Sequence, residues 1–460
     1  MTKPFFNKIL LGLPANGLIG CLATVLLFAS CVSNKAITGS ANRNLFNDSV
    51  LKHAVVGVTV YDPATQKTLF ERNGSTYFVP ASNIKIISSY TALKILGDSL
   101  PGIKYAVTPK GVLLIPTGDP SLLHADFANH PVLDFIKKEE RPLFITDAVW
   151  QSEALGSGWS WDDFNEDYMV ERSALPVYGN IIKWIQERQE PAGYDSSQPD
   201  VSNSIYSIPE VEWKVRFSPN DSAKHFSVLR NREDNIFTIT EGKEKKAAQD
   251  VPYVTFGIKS GLELLKAAAE KEIAVWNPRA STITTTQTIY SQPTDSLLKP
   301  MMHRSDNFFA EQVLMMASQQ LLGYQNDGQL IDTLLKTVFK DLPQRPRWAD
   351  GSGLSRYNLF TPQDFVYILN RMQTEFGMER LKGFFPAGGR GTLSNYFKGD
   401  SVYLYAKTGT LSGVVCLSGF LQAKSGKWLT FSVLVNNHRG SATAIRRKVE
   451  LFLNDIRNNY

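Results

Sequence analysis

The chain has 460 residues, of which 43% are hydrophobic and 20% charged, with a formal net charge of +5. That length exceeds what one ordinary domain needs, so two or three units with full hydrophobic cores are expected. The small positive charge is dispersed, and a local run such as "KEKK" at 243–246 is short, which argues against a nucleic-acid-binding face.

Residues 1–30 read as an export signal. Lys3 and Lys8 precede an apolar stretch, and small Ala29 and Ser30 stand directly before Cys31. A retained membrane anchor is the competing reading, but Pro14, Asn16 and Gly17 interrupt the apolar run. The segment "LFASC" resembles a bacterial lipobox, with Phe28 where leucine is usual. The resemblance implies lipidation at Cys31, a membrane-anchored mature N-terminus and a periplasmic location. Cys21 then leaves with the signal, and Cys416 is left alone in the strand-like run "GVVCLSGF" as a core residue without a disulfide partner. The histidines are scattered and no Cys/His cluster has ligand spacing, so neither metal nor cofactor is expected.

After a polar approach, "HAVVGVTVYD" and "QKTLFERN" read as two strands joined by the turn "DPAT". A helical run follows from Ser82, with Pro80 ahead of it and Ile84, Ile87, Tyr90 and Leu93 at helical spacing. Residues 100–287 have a different texture. "GVLLIPTGDPSLL", "PLFITDAVW", "VEWKVRFSP" and "DNIFTITEG" are strand-like, and "SGLELLKAAAEKEIAV" is the one clear helix. At the far end "SVYLYAKTGT", "GVVCLSGFLQ" and "WLTFSVLVNN" read as three strands, closed by an amphipathic helix with Ile445, Val449, Leu453 and Ile456 on its apolar face. The expected fold is an α/β (α+β) core, an antiparallel sheet flanked by helices and assembled from residues 31–99 and 288–460. A large, mostly-β insertion over 100–287 interrupts it.

Ser-x-x-Lys occurs three times, as Ser49/Lys52, Ser82/Lys85 and Ser296/Lys299, so the motif alone indicates nothing beyond a helix cap and a solvated charge. Only Ser82 begins a helix directly after a hairpin. "SDN" at 305–307 ahead of a helical run and "KTG" at 407–409 on a strand accompany it. The three motifs in that order form the signature of the penicillin-recognising serine enzymes. The chemistry fits the residue types. Serine needs a base to become a nucleophile, and one helical turn brings Lys85 to Ser82. The amine must be neutral, which calls for burial and a nearby cation, with Lys407 the candidate. Backbone N–H groups of Ser82 and Thr410 would form an oxyanion hole. Ser305 would relay a proton to the leaving amine and Asn307 would hold the substrate amide. Lys407, Thr408 and Thr410 suit a terminal carboxylate, and Gly409 would let the substrate lie along the strand. Asp306 is expected to face away and brace its turn, and Asp119 to cap a turn.

Ser305 follows Ser82 by 223 residues (305 − 82), far more than in class A β-lactamases, and no Glu-x-x-Leu-Asn loop follows SDN. The chain instead resembles the DacB-type D-alanyl-D-alanine carboxypeptidase/endopeptidase family of penicillin-binding proteins. Beyond the three motifs, the likeness is carried by "TGDPSLL" (117–123), "GSGWSWDDFNEDY" (156–168), "DGSGLSRYNLFTP" (350–362) and "AKTGTLSGVVCLSGF" (406–420). The resemblance implies a transpeptidase-like core with inserted domains, peptidoglycan stem peptides as substrate and β-lactams as acylating inhibitors. It also places Arg356 beside the cleft. "MVERSALPVYGN" at 169–180 departs from the family pattern, which leaves the preference for the peptide's third residue open. A β-lactamase, or a catalytically idle cell-wall-binding lipoprotein, are the alternatives.

Overall fold

A computed structural model describes residues 35–189, 202–218, 223–278, 286–399 and 402–460; the signal segment and Cys31 lie outside the described residues. Strands from both ends of the chain meet in one sheet. β1 (Val55–Asp62) and β2 (Lys67–Arg72) come from the first part. β3 (Leu404–Leu411), β4 (Val414–Gln422) and β5 (Trp428–Asn436) come from the last. Their order is β3-β4-β5-β1-β2, antiparallel throughout, and the pairing that joins the two ends of the chain sets Val56 opposite Val435 and Val60 opposite Phe431.

β4 and β5 are buried along nearly their whole length, which requires cover on both faces. On one face lie α1 (Ile84–Thr91), α2 (Asn307–Leu322) and α3 (Pro362–Phe376), whose Ile84, Phe309, Val313, Phe365 and Leu369 share a core. On the other lies α4 (Ala442–Asn459), which buries Ile445, Val449, Leu453 and Ile456 against Val58 and Val433. α2 is apolar nearly all round and runs through the middle of the helical layer. It is the element from which the site is built.

The segment from Ser99 to Pro293 forms three further sheets. One has five strands, ordered Ile273–Val275, Leu143–Ile145, Gly111–Pro116, Ser99–Thr108 and Gln287–Pro293; two have three strands each. They enclose a separate core that includes Val112, Leu114, Ile145, Ile182, Phe237 and Leu265. On that ground we propose this segment as the inserted unit. Its closing strand Gln287–Pro293 pairs with Ser99–Thr108, so the unit extends to Pro293 rather than residue 287. The expected helix is shorter than its pattern: it spans Lys259–Ala269, ends at left-handed Glu270, and the "IAV" that follows is an edge strand. A second helix, Pro131–Lys138, starts with proline in its first turn, the sequence signal that marks it.

Candidate active site

Two of the three serine-lysine pairs are ordinary surface. Ser49 and Lys52 are exposed in turns, and Ser296 and Lys299 are exposed on the helix Thr294–His303. Ser82 sits in the 3-10 turn Ala81–Asn83 that leads into α1, and its hydroxyl makes no cap. It lies instead 3.1 Å from Lys85 Nζ. Two glycines let this turn reach its place. A Cβ on Gly353, which has φ +83, would fall 1.9 Å from Ala81 O and 3.0 Å from Ser82 N. A Cβ on Gly409 would fall 2.7 Å from Pro80 O. The bare face of Gly409 therefore seats the serine's turn.

Lys85 is fully buried, and its Nζ lies 2.7 Å from Asn307 Oδ1 and 2.8 Å from Ser352 O as well as beside Ser82. The amide of Asn307 is held in register because its Nδ2 donates to Tyr168 O at 2.9 Å, which turns Oδ1 toward the amine. Burial pulls the Lys85 ammonium down from its usual 10.5 to about 8, against the opposing pull of Asp350, Asp306 and Glu311. A neutral amine has two N–H groups and one lone pair. Asn307 Oδ1 and Ser352 O can only accept, so they take the two hydrogens and the lone pair is left for the Ser82 hydroxyl. The geometry points the lone pair of a neutral Lys85 at Ser82.

Ser305 has φ +63 and precedes α2, whose N-terminus is capped by Asp306 accepting from Phe309 N at 3.0 Å. Asp306 thus braces the turn, as expected. Lys407 Nζ lies 2.9 Å from both Ser305 Oγ and Thr408 O, with the side chain fully buried. Burial first, then the charge of Lys85, holds Lys407 well below its usual range. Desolvation lowers both amines, and the repulsion between Lys85 and Lys407 belongs to the pair rather than to either one.

β3 is an edge strand, and alternation divides the motif. Lys407 and Gly409 face the helices. Thr408 lines a small cavity with Tyr396, Val449 and Arg446, and the hydroxyl of exposed Thr410 accepts from Arg446 Nη2 on α4. Arg356 is exposed and donates to Ser412 O at 2.8 Å, just beyond the same strand. Two guanidinium groups thus flank the end of β3, and only Arg356 was singled out by the sequence. A cleft of about 550 Å³ opens on the other side of Ser305 and Asn307, lined by Asp126, Asp167, Tyr168, Lys183, Asp250 and Arg304 among others. Arg304 pairs with Asp126 and Lys183 with Asp250, and Asp167 is left without a cation partner among these contacts. Burial, together with Asp250 and Asp306, raises the Asp167 carboxyl. The segment 169–180, flagged as unusual, contributes Val170, Tyr178 and Gly179 to this cleft.

Sequence reasoning missed the supporting layer. Buried Asp350 accepts from Gly353 N, Ser355 N, Asn358 Nδ2 and Trp159 Nε1, and so folds the loop that brings Ser352 O to Lys85. Buried Glu311 accepts from Ser352 N at 2.7 Å. A carboxylate inside the apolar run "FFAEQVL" was the available signal for it. Asp119 accepts from Ser121 N and Oγ in a turn, as expected. Cys416 is a free, buried thiol that burial pushes up to about 12.

Residues 42–455 match the model of the D-Ala-D-Ala carboxypeptidase 3 (S13) family. The chain is 26% identical over 441 residues to the D-alanyl-D-alanine carboxypeptidase of Actinomadura sp. (strain R39), covering 86% of this chain and 80% of that one. It is 23% identical over 425 residues to the D-alanyl-D-alanine carboxypeptidase DacB of Haemophilus influenzae, covering 83% and 85%. The crystal structure of penicillin binding protein 4 (dacB) from Haemophilus influenzae superposes with a TM-score of 0.68 at 20% identity, over 92% of this chain and 99% of that one. The transpeptidase-like fold is thereby shown.

Proposed function

The chain belongs to the D-Ala-D-Ala carboxypeptidase 3 (S13) family and is a serine-type DD-peptidase of peptidoglycan stem peptides; from that premise we propose that Ser82 is its acylated nucleophile and Lys85 the base. The observation that carries the reading is the orientation of Lys85, whose two acceptor-only neighbours leave its lone pair for Ser82. Ser82 Oγ gives its proton to Lys85 and attacks the penultimate D-Ala carbonyl. The C–N bond then breaks, and the leaving amine takes its proton through Ser305, which Lys407 holds. Water hydrolyses the ester and restores the serine. The first residues of β3 pair with Pro386 and Gly388 on their outer edge, and the edge beyond Ala406 supports an extended peptide lying beside the strand, with the N–H groups of Ser82 and Thr410 as oxyanion donors. Arg356, Thr408, Thr410 and Arg446 then surround its terminal carboxylate. A β-lactam would acylate the same serine.

The cleft beyond Ser305 has room for more than a free D-alanine, which supports cross-link cutting beside terminal trimming. Export to the periplasm and lipid anchoring at Cys31 belong to the same proposal and rest on the lipobox-like segment. The test is labelling with a fluorescent penicillin, followed by D-Ala release from a pentapeptide ending in D-Ala-D-Ala. Both should appear in the unaltered protein and vanish in Ser82→Ala. An unlabelled wild type would overturn the assignment, and rapid drug turnover without peptide cleavage would favour a β-lactamase.

A further inference from the structure

Lys85 owes its direction to a backbone carbonyl, and that carbonyl is itself held. Two consecutive peptide planes of the loop 350–355 are each gripped at both edges. In the first, Gly351 O accepts from Ser88 Oγ at 2.6 Å and Ser352 N donates to Glu311 Oε1 at 2.7 Å. In the second, Ser352 O accepts from Lys85 at 2.8 Å and Gly353 N donates to Asp350 Oδ1 at 2.9 Å. Lys85 and Ser88 are one turn apart on α1, Glu311 is on α2, and Asp350 belongs to the loop itself.

Glu311 has a second attachment. Its other oxygen is 3.4 Å from Nη1 of Arg172, a side chain only 2% exposed. Arg172 also pairs with Asp327 at 2.6 Å and donates to the carbonyls of Glu153 and Leu155. It therefore fastens the 153–172 stretch of the insertion to the carboxylate that holds the Ser352 peptide. The same stretch supplies Tyr168 O, which orients Asn307. Both acceptors that aim Lys85 are thus set by one docking surface.

We propose that Glu311 is a positioning residue for the serine-lysine pair: it fixes the Ser352 peptide that aims the Lys85 lone pair, and Arg172 ties the seating of the inserted segment to it. The inference rests on Ser82 and Lys85 being nucleophile and base. A carboxylate buried in a helix core is otherwise a net burden, and here its one short bond goes to that peptide. The charged groups around Lys85 are Asp306, Asp350, Glu311 and Lys407, and those around Glu311 are Arg172, Asp327 and Asp350.

The test compares Glu311→Gln and Glu311→Ala with the unaltered protein, following the rate of fluorescent-penicillin acylation from pH 6 to 9 beside thermal melting. Glutamine keeps an acceptor for Ser352 N and removes the charge. It should acylate within about fivefold of wild type at its optimum; burial raises the Glu311 carboxyl itself, so only the upper part of the acid limb, where Glu311 is charged, should move to lower pH. Alanine should lose about ten- to a hundredfold while still melting cooperatively, as misplacement by about 1 Å would produce. Folded Glu311→Ala that acylates normally, or Glu311→Gln that falls as far as the alanine variant, would overturn the proposal. If alanine prevents folding, Glu311→Asp decides: it keeps the carboxylate but draws it back from Ser352 N, so a loss of acylation supports the proposal and acylation at the wild-type rate refutes it. Failure of the underlying serine-lysine reading would look different, since the unaltered protein itself would remain unlabelled.

Discussion

Raising the pH from 6 to 8 should accelerate acylation of Ser82, and the structure sets the size of the effect. The base acts only when neutral, and burial lowers the Lys85 ammonium to about 8. Its neutral fraction is then about a hundredth at pH 6, about a tenth at pH 7 and about half at pH 8. The second-order rate of covalent capture by a fluorescent penicillin should climb about tenfold from pH 6 to 7 and about fivefold from 7 to 8, and level off above about 9. A β-lactam suits the assay because capture precedes deacylation, so the limb reports the free protein. An unburied lysine would give a limb still rising at pH 10. A rate that is flat between pH 6 and 8, or that falls, would show that a neutral Lys85 is not the base.

Gly353→Ala places a methyl group 1.9 Å from Ala81 O at φ +83, so capture by penicillin should fall about a hundredfold and the melting temperature should drop; unchanged labelling would contradict the seating of the serine turn. Arg446→Ala removes the guanidinium that bonds Thr410. It should raise KM about three- to tenfold for a pentapeptide with a free terminal carboxylate while leaving the C-terminal amide unaffected, measured by amine release from the two peptides in parallel. Asp167→Asn removes the carboxylate without a cation partner from the cleft beyond Ser305. It should lower kcat/KM several-fold on a cross-linked dimer, whose second peptide leaves as a free amine on this side of Ser305, and spare a linear pentapeptide; equal losses on both would show that the cleft does not receive the second peptide.

How much of this was legible depended on what kind of signal each part leaves. Strands that alternate, and an amphipathic helix such as α4, declare themselves through period, and they marked one sheet built from both ends of the chain. Short strands are less distinct: Leu143–Ile145 lies within the strand-like "PLFITDAVW", but Ile273–Val275 reads as the end of a helix, and its pairing partner far along the chain defines it. Ser82, Lys85, Ser305, Asn307 and Lys407 were found because three motifs occur in order, and folding brings all five together. Asp350 and Ser352 lie in the segment 350–362 that carries the family likeness and Arg172 in the departing segment 169–180, but neither segment showed their roles. Their contribution is a backbone carbonyl, a loop of accepted N–H bonds and a buried ion pair, and none of these has a residue pattern. Gly409 shows the converse. The motif pointed to it, but only a packed neighbour, Pro80 O, reveals which way its bare face turns.

On the proposed assignment, the site also accounts for how a lysine so deeply buried would serve as a base near neutral pH. Desolvation alone would drive Lys85 lower still, and Asp350, Asp306 and Glu311 draw it back to about 8. When Lys85 is charged, three N–H groups meet three acceptors, Ser82 Oγ among them, and the serine is held but not activated. Loss of one proton reverses the hydrogen bond between Lys85 and Ser82, because Asn307 and Ser352 offer only acceptors and keep theirs. No heavy atom has to move between the resting and reactive arrangements, and a preorganised site gains its rate by avoiding such reorganisation. The surrounding carboxylates therefore set the pH at which the switch is thrown, while the two acceptors set its direction.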